Sequence, residues 1–295
     1  MAAAVAPLLD NVVDLGARGG YAGIIGVAPS KGARSPALWN AAFTVHGIDA
    51  EMVPMDVAPD RLDDAVGALR EDARFIGGAV AAPYKGRVCE LLGDDVDADV
   101  RRHGSVNALY RDARGRLTGA NTDGSGAARA IAERWPDLAA GGHSLLVLGL
   151  GGVGRPVAAA LVASHRVVAT SRRAGDGEWC DRHGMRWTPW DDRGAATRGV
   201  ALVVNCTSLG DARHEGESPL GPDDVAALAG TTGVYDVIYQ PAVTPLLGAA
   251  SRRGLATCNG ATMNLTQAEL AFAKVRPEAD PAVTHRAMAE AFARL

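Results

Sequence analysis

Two kinds of hydrophobic pattern alternate along the first half of the chain. Short apolar runs at residues 23–28, 49–55 and 74–82 predict buried strands, because turn residues bound each of them. Segments 35–46 and 59–70 lie between these runs and predict helices. In the second of them, apolar residues recur at helical spacing. Strands that alternate with helices predict an α/β layer with mostly parallel strands.

The second half of the chain contains a strand–turn–helix pattern that is typical of dinucleotide binding. The apolar run 145–148 predicts a buried strand, residues 157–163 a helix and residues 166–169 the next strand. Between the first strand and the helix lie four glycines, Gly149, Gly151, Gly152 and Gly154. Glycines permit a tight turn and a close approach of a pyrophosphate, and the following helix N-terminus offers unpaired N–H groups to that anion.

The residues after the second of these strands indicate which dinucleotide binds. An NAD site usually has Asp or Glu there to bind the ribose, whereas this chain has Ser171, Arg172 and Arg173. Cations suit a 2′-phosphate, which a carboxylate would repel. Glycines also occur in ordinary tight turns, but the flanking strand, the helix and the basic strand end together favour an NADP site.

The order of these elements predicts two domains. Residues 121–124 cap a helix that runs through residue 135 and leads into the dinucleotide-binding region. The last predicted helix of that region, 262–274, crosses back to the first. The predicted architecture is therefore α/β, with an N-terminal α/β substrate domain (1–124 and 264–295), a Rossmann dinucleotide-binding domain (125–263) and a cleft between them.

Composition excludes several classes of function. The 295 residues are 47% hydrophobic and carry a formal net charge of −4, which is typical of a globular protein and predicts no nucleic-acid or membrane partner. The four cysteines, Cys89, Cys180, Cys206 and Cys258, have no metal-ligand spacing, so we expect reduced thiols and no metal site. Residues 1–16 contain Asp10 and no basic residue, which argues against a secretory signal. We expect a cytoplasmic monomer or homodimer with a small-molecule substrate.

Two titratable residues follow predicted strands. Lys85 ends the segment AVAAPYK, and Asp123 lies in ANTDG. A lysine ammonium and a carboxylate in one cleft could share the proton that moves when a carbonyl is reduced to an alcohol. A surface lysine with a helix-capping aspartate fits the spacing equally well. Asn107 could orient a substrate hydroxyl or close a turn, and Tyr239 and Gln267 are equivocal when taken alone.

Motifs along nearly the whole chain from residue 23 onward resemble those of the shikimate and quinate dehydrogenase family. They occur in the family's order: SPALWN at 35–40, PYK at 83–85, GSVNA at 104–108, GANTDGSG at 119–126, GLGGVG at 149–154, VNCTSLG at 204–210, YDVIYQPAVTPLL at 235–247 and GATMNLTQA at 260–268. PYK followed by NTDG is specific to this family. The resemblance implies NADP-linked reduction of a ring ketone in a cyclic hydroxy acid that bears a carboxylate.

The resemblance also implies roles for individual residues. Lys85 and Asp123 would form the catalytic pair. The substrate contacts would be Ser35, Asn107, Tyr239 and Gln267. The NADP contacts would be Gly149, Gly151, Gly152, Gly154, Ser171, Arg172, Arg173, Thr207, Ser208 and Gly260.

Three alanines depart from the family pattern. The family has a second serine where this chain has Ala33, and it has Asn-Val-Thr where this chain has Ala79-Val80-Ala81. The missing groups contact the substrate carboxylate and ring hydroxyls in the family. A typical hydrogen bond contributes roughly 0.5–1.5 kcal/mol, so three losses could weaken shikimate recognition by a few kcal/mol.

Three hypotheses follow from these departures. The first is an NADP-dependent dehydrogenase for a modified, for example amino-substituted, shikimate-like substrate. The second is an ordinary shikimate or quinate dehydrogenase in which residues such as Lys31 or Arg34 supply the lost contacts. The third is a metabolite-binding protein without catalysis, against which the retention of Lys85 and Asp123 argues.

Overall fold

The computed structural model describes residues 5–16 and 18–295. Residues 1–4, part of the segment considered for a secretory signal, lie outside the described residues. The chain divides into two compact α/β units, Met1–Thr122 with Leu265–Leu295, and Asp123–Asn264. The predicted α/β fold class is confirmed. The predicted domain boundaries fall within two residues of the unit boundaries.

Eleven strands are present in the described ranges. They are β1 (Gly20–Gly26), β2 (Ala50–Asp56), β3 (Phe75–Val80), β4 (Ala108–Arg111), β5 (Leu117–Ala120), β6 (Ser144–Leu148), β7 (Arg166–Ser171), β8 (Arg186–Pro189), β9 (Leu202–Asn205), β10 (Gly233–Asp236) and β11 (Thr257–Cys258).

Eleven α-helices accompany them in the same part of the chain. They are α1 (Ser35–Val45), α2 (Leu62–Glu71), α3 (Lys85–Leu92), α4 (Val100–His103), α5 (Asp123–Arg134), α6 (Gly154–Leu161), α7 (Asp176–Arg182), α8 (Pro222–Ala226), α9 (Pro245–Arg252), α10 (Ala261–Val275) and α11 (Pro281–Phe292). Helix α10 begins in the second unit, and its residues from Leu265 onward belong to the first.

The first unit is built on a mixed five-stranded sheet with the order β2-β1-β3-β4-β5. Strand β1 is parallel to β2 and β3, whereas β4 is antiparallel to both β3 and β5. Successive side chains of a strand point to opposite faces. Tyr21 and Ile25 therefore lie in one apolar cluster, and Ala22 and Ile24 lie in another. Both faces of this sheet are buried.

The predicted first strand, 23–28, is shifted relative to β1. Strand β1 starts three residues earlier, because Tyr21 and Ala22 pair with both neighbouring strands. It ends at Gly26, and Val27 is 49% exposed. A Cβ on Gly78 would lie 1.9 Å from the carbonyl oxygen of Gly23, so the close approach of β1 and β3 requires glycine there.

Arg111 ties the end of helix α2 to the sheet of the first unit. Its guanidinium donates hydrogen bonds of 2.8–3.2 Å to the main-chain carbonyls of Leu69, Arg70, Asp72, Phe75 and Gly115. The last carbonyls of a helix have no partner within the helix. Arg111 therefore satisfies acceptors that helix α2 leaves open.

We expect Arg111→Met to lower the free energy of unfolding by about 2–3 kcal/mol, because hydrogen bonds from a charged donor are lost while the aliphatic stem is kept. Urea unfolding followed by circular dichroism measures the change. Arg114→Met is the matched control, since Arg114 is exposed on the neighbouring turn. Equal effects of the two substitutions would contradict the assigned role of Arg111.

The second unit is built on a six-stranded sheet with the order β11-β10-β9-β6-β7-β8, in which every pair is parallel. Leu145 and Val147 of β6 lie in one apolar cluster, and Leu146 and Leu148 lie in another. Burial on both faces explains why this strand is a continuous apolar run in the sequence. The predicted helix 157–163 begins earlier, at Gly154, and ends at Leu161.

Candidate active site

Lys85 is the first residue of α3 and follows the carboxyl end of β3. It is only 8% exposed, although a lysine is rarely buried unless it is paired. Its main-chain oxygen accepts a hydrogen bond of 3.0 Å from the N–H of Val106, next to Asn107. The structure thus fixes Lys85 on a helical turn beside the GSVNA segment.

Two predicted substrate-binding residues, Asn107 and Gln267, lie together in the first unit. The Asn107 side-chain amide donates to Gln267 Oε1 at 3.3 Å and to Thr122 Oγ1 at 3.1 Å. Thr122 donates its N–H to Asn107 Oδ1 at 2.8 Å and its hydroxyl to the main-chain oxygen of Gln267 at 2.9 Å. Thr122 was not among the predicted site residues, although it lies in the NTDG motif. We call these three residues the amide cluster.

Ser35 is buried in the first turn of α1, and a carboxylate anchors the segment before it. Asp56, at the end of β2, accepts hydrogen bonds from the main-chain N–H of Ser30 at 2.9 Å and from its hydroxyl at 2.5 Å. Asp56 is 7% exposed, and its N–H donates to Asn11 Oδ1. Sequence reasoning missed this anchor because residues 30 and 56 are paired only in the folded sheet.

The three alanines that depart from the family pattern share one environment. Ala79 is a buried member of an apolar cluster in the first unit, and Ala33 and Ala81 pack against the same cluster. Ala79 lies in β3, opposite Ala108 of β4. These three positions therefore present methyl groups, with no side-chain hydroxyl or amide, to a common part of the first unit.

Asp123 is the first residue of α5 in the second unit and is 4% exposed. It follows Thr122 of the amide cluster directly in the chain. A Cβ on Gly124 would lie 2.5 Å from the carbonyl oxygen of Pro156, so α5 packs very closely on α6 at this point. This close packing fixes the backbone that carries Asp123.

The glycine segment has the geometry that a dinucleotide site needs. Gly149 has a φ of +93°, and a Cβ on Gly154 would lie 1.9 Å from the Gly149 carbonyl oxygen. A Cβ on Gly151 would meet no atom within 4 Å, so the backbone is open to an approaching group there. Gly152 follows in the turn that leads into α6. This backbone geometry is compatible with a pyrophosphate bound at the start of α6.

The three predicted phosphate-binding residues differ in their surroundings. Ser171 is 6% exposed and accepts a hydrogen bond of 3.0 Å from the indole of Trp187. Arg173 pairs with Asp176 and also donates to the carbonyl oxygen of Leu150 at 2.7 Å. Arg172 is exposed, and we find no hydrogen bond or ion pair to it among the described residues.

The remaining predicted cofactor residues follow the ends of β9 and β11. Thr207 donates its N–H and its hydroxyl to Asn205 Oδ1 at 2.9 and 2.7 Å, and Ser208 is the next residue. A Cβ on Gly260 would lie 2.0 Å from the carbonyl oxygen of Val237, so only glycine fits there. Tyr239 lies in the second unit, in the loop after β10.

A buried carboxylate holds the loop that carries Tyr239. Asp236 is fully buried and accepts hydrogen bonds from the Ile238 N–H at 3.0 Å, the Thr244 hydroxyl at 2.7 Å and the Asn205 amide at 3.1 Å. Burial raises the pKa of Asp236 to about 6, although these donors favour its ionised form. Asn205 and Asp236 were not among the predicted site residues, although both lie in the family motifs.

Neither a metal-ligand cluster nor a membrane-spanning helix occurs in the described ranges. No group of three or more His, Cys, Asp or Glu side chains there is arranged to hold a metal ion. All four cysteines are free. Within the same ranges, every helix is too short or too polar to cross a bilayer.

Comparison with known proteins decides the family. The chain is 39% identical over 276 residues to the NADP(+)-dependent shikimate dehydrogenase of Acidiphilium cryptum, covering 91% of this chain and 95% of that protein. The chain belongs to the shikimate dehydrogenase family. The family model for the shikimate dehydrogenase substrate binding domain matches residues 24–109. These residues include Ser35, Lys85 and Asn107.

Solved structures of the shikimate dehydrogenase family share the fold. Shikimate 5-dehydrogenase from Thermus thermophilus, in complex with NADP(H) and shikimate, aligns with a TM-score of 0.76 and 28% identity over 92% of this chain and 99% of that chain. Quinate dehydrogenase from Corynebacterium glutamicum, in complex with NAD, aligns with a TM-score of 0.78 and 28% identity over 94% of this chain and 99% of that chain. The predicted family, the predicted class of NADP-dependent dehydrogenase and the predicted cofactor are confirmed.

Proposed function

We propose that this protein reversibly reduces the ring ketone of a shikimate-like cyclic carboxylic acid with NADPH, and that Lys85 and Asp123 are its catalytic pair. The observation that carries the proposal is the burial of Lys85, whose main-chain oxygen accepts a hydrogen bond from Val106, the neighbour of Asn107 in the amide cluster. A buried lysine in this position is a candidate for proton transfer to a bound substrate.

The proposed chemistry uses the residues of the chain for proton transfer and orientation. NADPH supplies the hydride when it is bound. The Lys85 ammonium donates a proton to the alkoxide oxygen that develops on the ring, and in the reverse direction neutral Lys85 accepts that proton. Asp123 is the proposed carboxylate member of this pair.

Four residues are proposed to orient the substrate. Ser35 would bind the substrate carboxylate through its hydroxyl. Asn107 and Gln267 would contact ring hydroxyls, since the amide cluster already holds both side chains in defined positions. Tyr239 would contribute its phenol to the same substrate.

We also propose that the substrate differs from shikimate in the substituents that face Ala33, Ala79 and Ala81. A hydroxyl next to an alanine loses its hydrogen bond, so these positions do not select for it. A second candidate is an ordinary shikimate or quinate dehydrogenase. The identity of 39% to a shikimate dehydrogenase and the structural similarity to a quinate dehydrogenase favour it.

A substrate screen separates these candidates. Shikimate, quinate and aminoshikimate are each oxidised with NADP and with NAD, and kcat/KM is measured for every pair. We expect the highest kcat/KM for aminoshikimate with NADP and a value at least about tenfold lower for shikimate, the equivalent of one lost hydrogen bond. A kcat/KM that is highest for shikimate or quinate would favour the second candidate.

A further inference from the structure

A buried carboxylate lies among the arginines at the carboxyl end of β7. Asp176, the first residue of α7, is 1% exposed. It accepts a hydrogen bond of 2.7 Å from Arg155 Nη2, and bonds of 3.2 Å from Nε and Nη2 of Arg173. Burial opposes ionisation of Asp176, but the bonds from Arg155, Ser171 and Arg173 outweigh it and lower its pKa. Asp176 is therefore a stable anion within a basic cluster.

Both guanidiniums that contact Asp176 also contact other protein groups. Arg173 donates to the carbonyl oxygen of Leu150 in the glycine segment at 2.7 Å. The Arg155 guanidinium stacks over the ring of Trp179 at 5.1 Å. Arg172, between Ser171 and Arg173 in the chain, is exposed and has no such partner in the described ranges. The three arginines are therefore not equivalent as phosphate ligands.

We propose that Asp176 limits the preference of this enzyme for NADP over NAD by occupying Arg155 and Arg173, which leaves Arg172 as the main ligand of the 2′-phosphate. The proposal rests on NADP as the cofactor, which the open glycine segment and the basic strand end fit. A carboxylate and a phosphate use the same paired donors of a guanidinium, so they compete for it. Asp176 is thus a specificity-determining residue that acts through two arginines.

The expected size of the effect follows from Coulomb's law. A unit negative charge near the site of a doubly charged phosphate would change the affinity for that phosphate by about tenfold. NADH lacks the 2′-phosphate and does not sense this charge. The ratio of the two dissociation constants therefore reports the effect of Asp176 and is insensitive to any change that weakens the binding of both cofactors equally.

The test measures the equilibrium binding of NADPH and of NADH to the protein by calorimetry, in the absence of substrate. Asp176→Asn keeps the size of the side chain and removes its charge. We expect the ratio Kd(NADH)/Kd(NADPH) to rise about tenfold in this variant. Asp176→Glu keeps the charge and should restore a ratio close to that of the wild type. An unchanged or lower ratio in Asp176→Asn would overturn the proposal.

Two arginine variants test the proposal while residue 176 itself stays aspartate. We expect Arg172→Ala to lower the ratio about tenfold or more, and Arg173→Ala to lower it less, because Arg173 already pairs with Asp176. Equal losses in these two variants would overturn the proposal. A wild-type protein that prefers NADH would overturn the cofactor assignment as well, so the failure of the assignment appears in the wild type and the failure of this proposal appears in the variants.

Discussion

Lys85→Ala should reduce kcat by about 10²–10⁴-fold, because a general acid in the transition state contributes that much to rate. The developing alkoxide would then have to take its proton from water. The Kd for NADPH should stay close to the wild-type value, since the proposed cofactor contacts lie in the second unit. Steady-state kinetics with the best substrate of the screen and NADPH titration measure the two quantities.

Lys274→Ala is the matched lysine control. Lys274 is exposed on α10, where it pairs with Asp97 at 2.6 Å, and it belongs to no proposed catalytic group. Its loss should lower stability slightly and leave kcat unchanged. A Lys85→Ala variant with full turnover would remove Lys85 from the mechanism.

Asp123→Asn tests the other half of the catalytic pair. The amide keeps the shape of the side chain and removes its negative charge. We expect kcat to fall within the same range of about 10²–10⁴-fold, with a smaller change in KM. A change in KM alone would assign Asp123 to substrate binding.

Restoring the polar groups of the family pattern should transfer activity toward shikimate. The triple variant Ala33→Ser, Ala79→Asn and Ala81→Thr is expected to raise kcat/KM for shikimate by about 10–100-fold, since each hydrogen bond contributes about 0.5–1.5 kcal/mol. It should also lower kcat/KM for the substrate that the wild-type enzyme prefers. The three sites adjoin one apolar cluster, so their effects need not add.

The burial of Ala79 makes a separate single variant necessary. Ala79 is 8% exposed between two strands, so an asparagine there has little space and carries a cost in stability. Ala81→Thr is therefore measured alone as well, because Ala81 is only half-buried. Ala68→Ser, on α2 beside the other apolar cluster of the same unit, is the control and should not change kcat/KM. Efficient turnover of shikimate by the wild-type enzyme would contradict the altered specificity.

Local sequence determined the elements whose signals lie within a few neighbouring residues. The run at 145–148 and the glycines after it predict β6 and the turn into α6, because burial on both faces and a close backbone approach each demand particular residue types. The order of the family motifs likewise predicts the family, and the basic residues Arg172 and Arg173 after the second strand predict NADP. These features need no knowledge of distant contacts.

Tertiary structure alone decided which side chains act on each other. Thr122 binds Asn107 and Gln267, which are 15 and 145 residues away along the chain. Asp176 binds Arg155 across 21 residues, and no periodicity or spacing in the sequence reveals that pairing. Hydrophobic patterns report whether a side chain is buried, whereas a hydrogen bond depends on where two separate elements meet. The sequence alone therefore predicted the family and the cofactor, and the folded chain decided which arginines pair with Asp176.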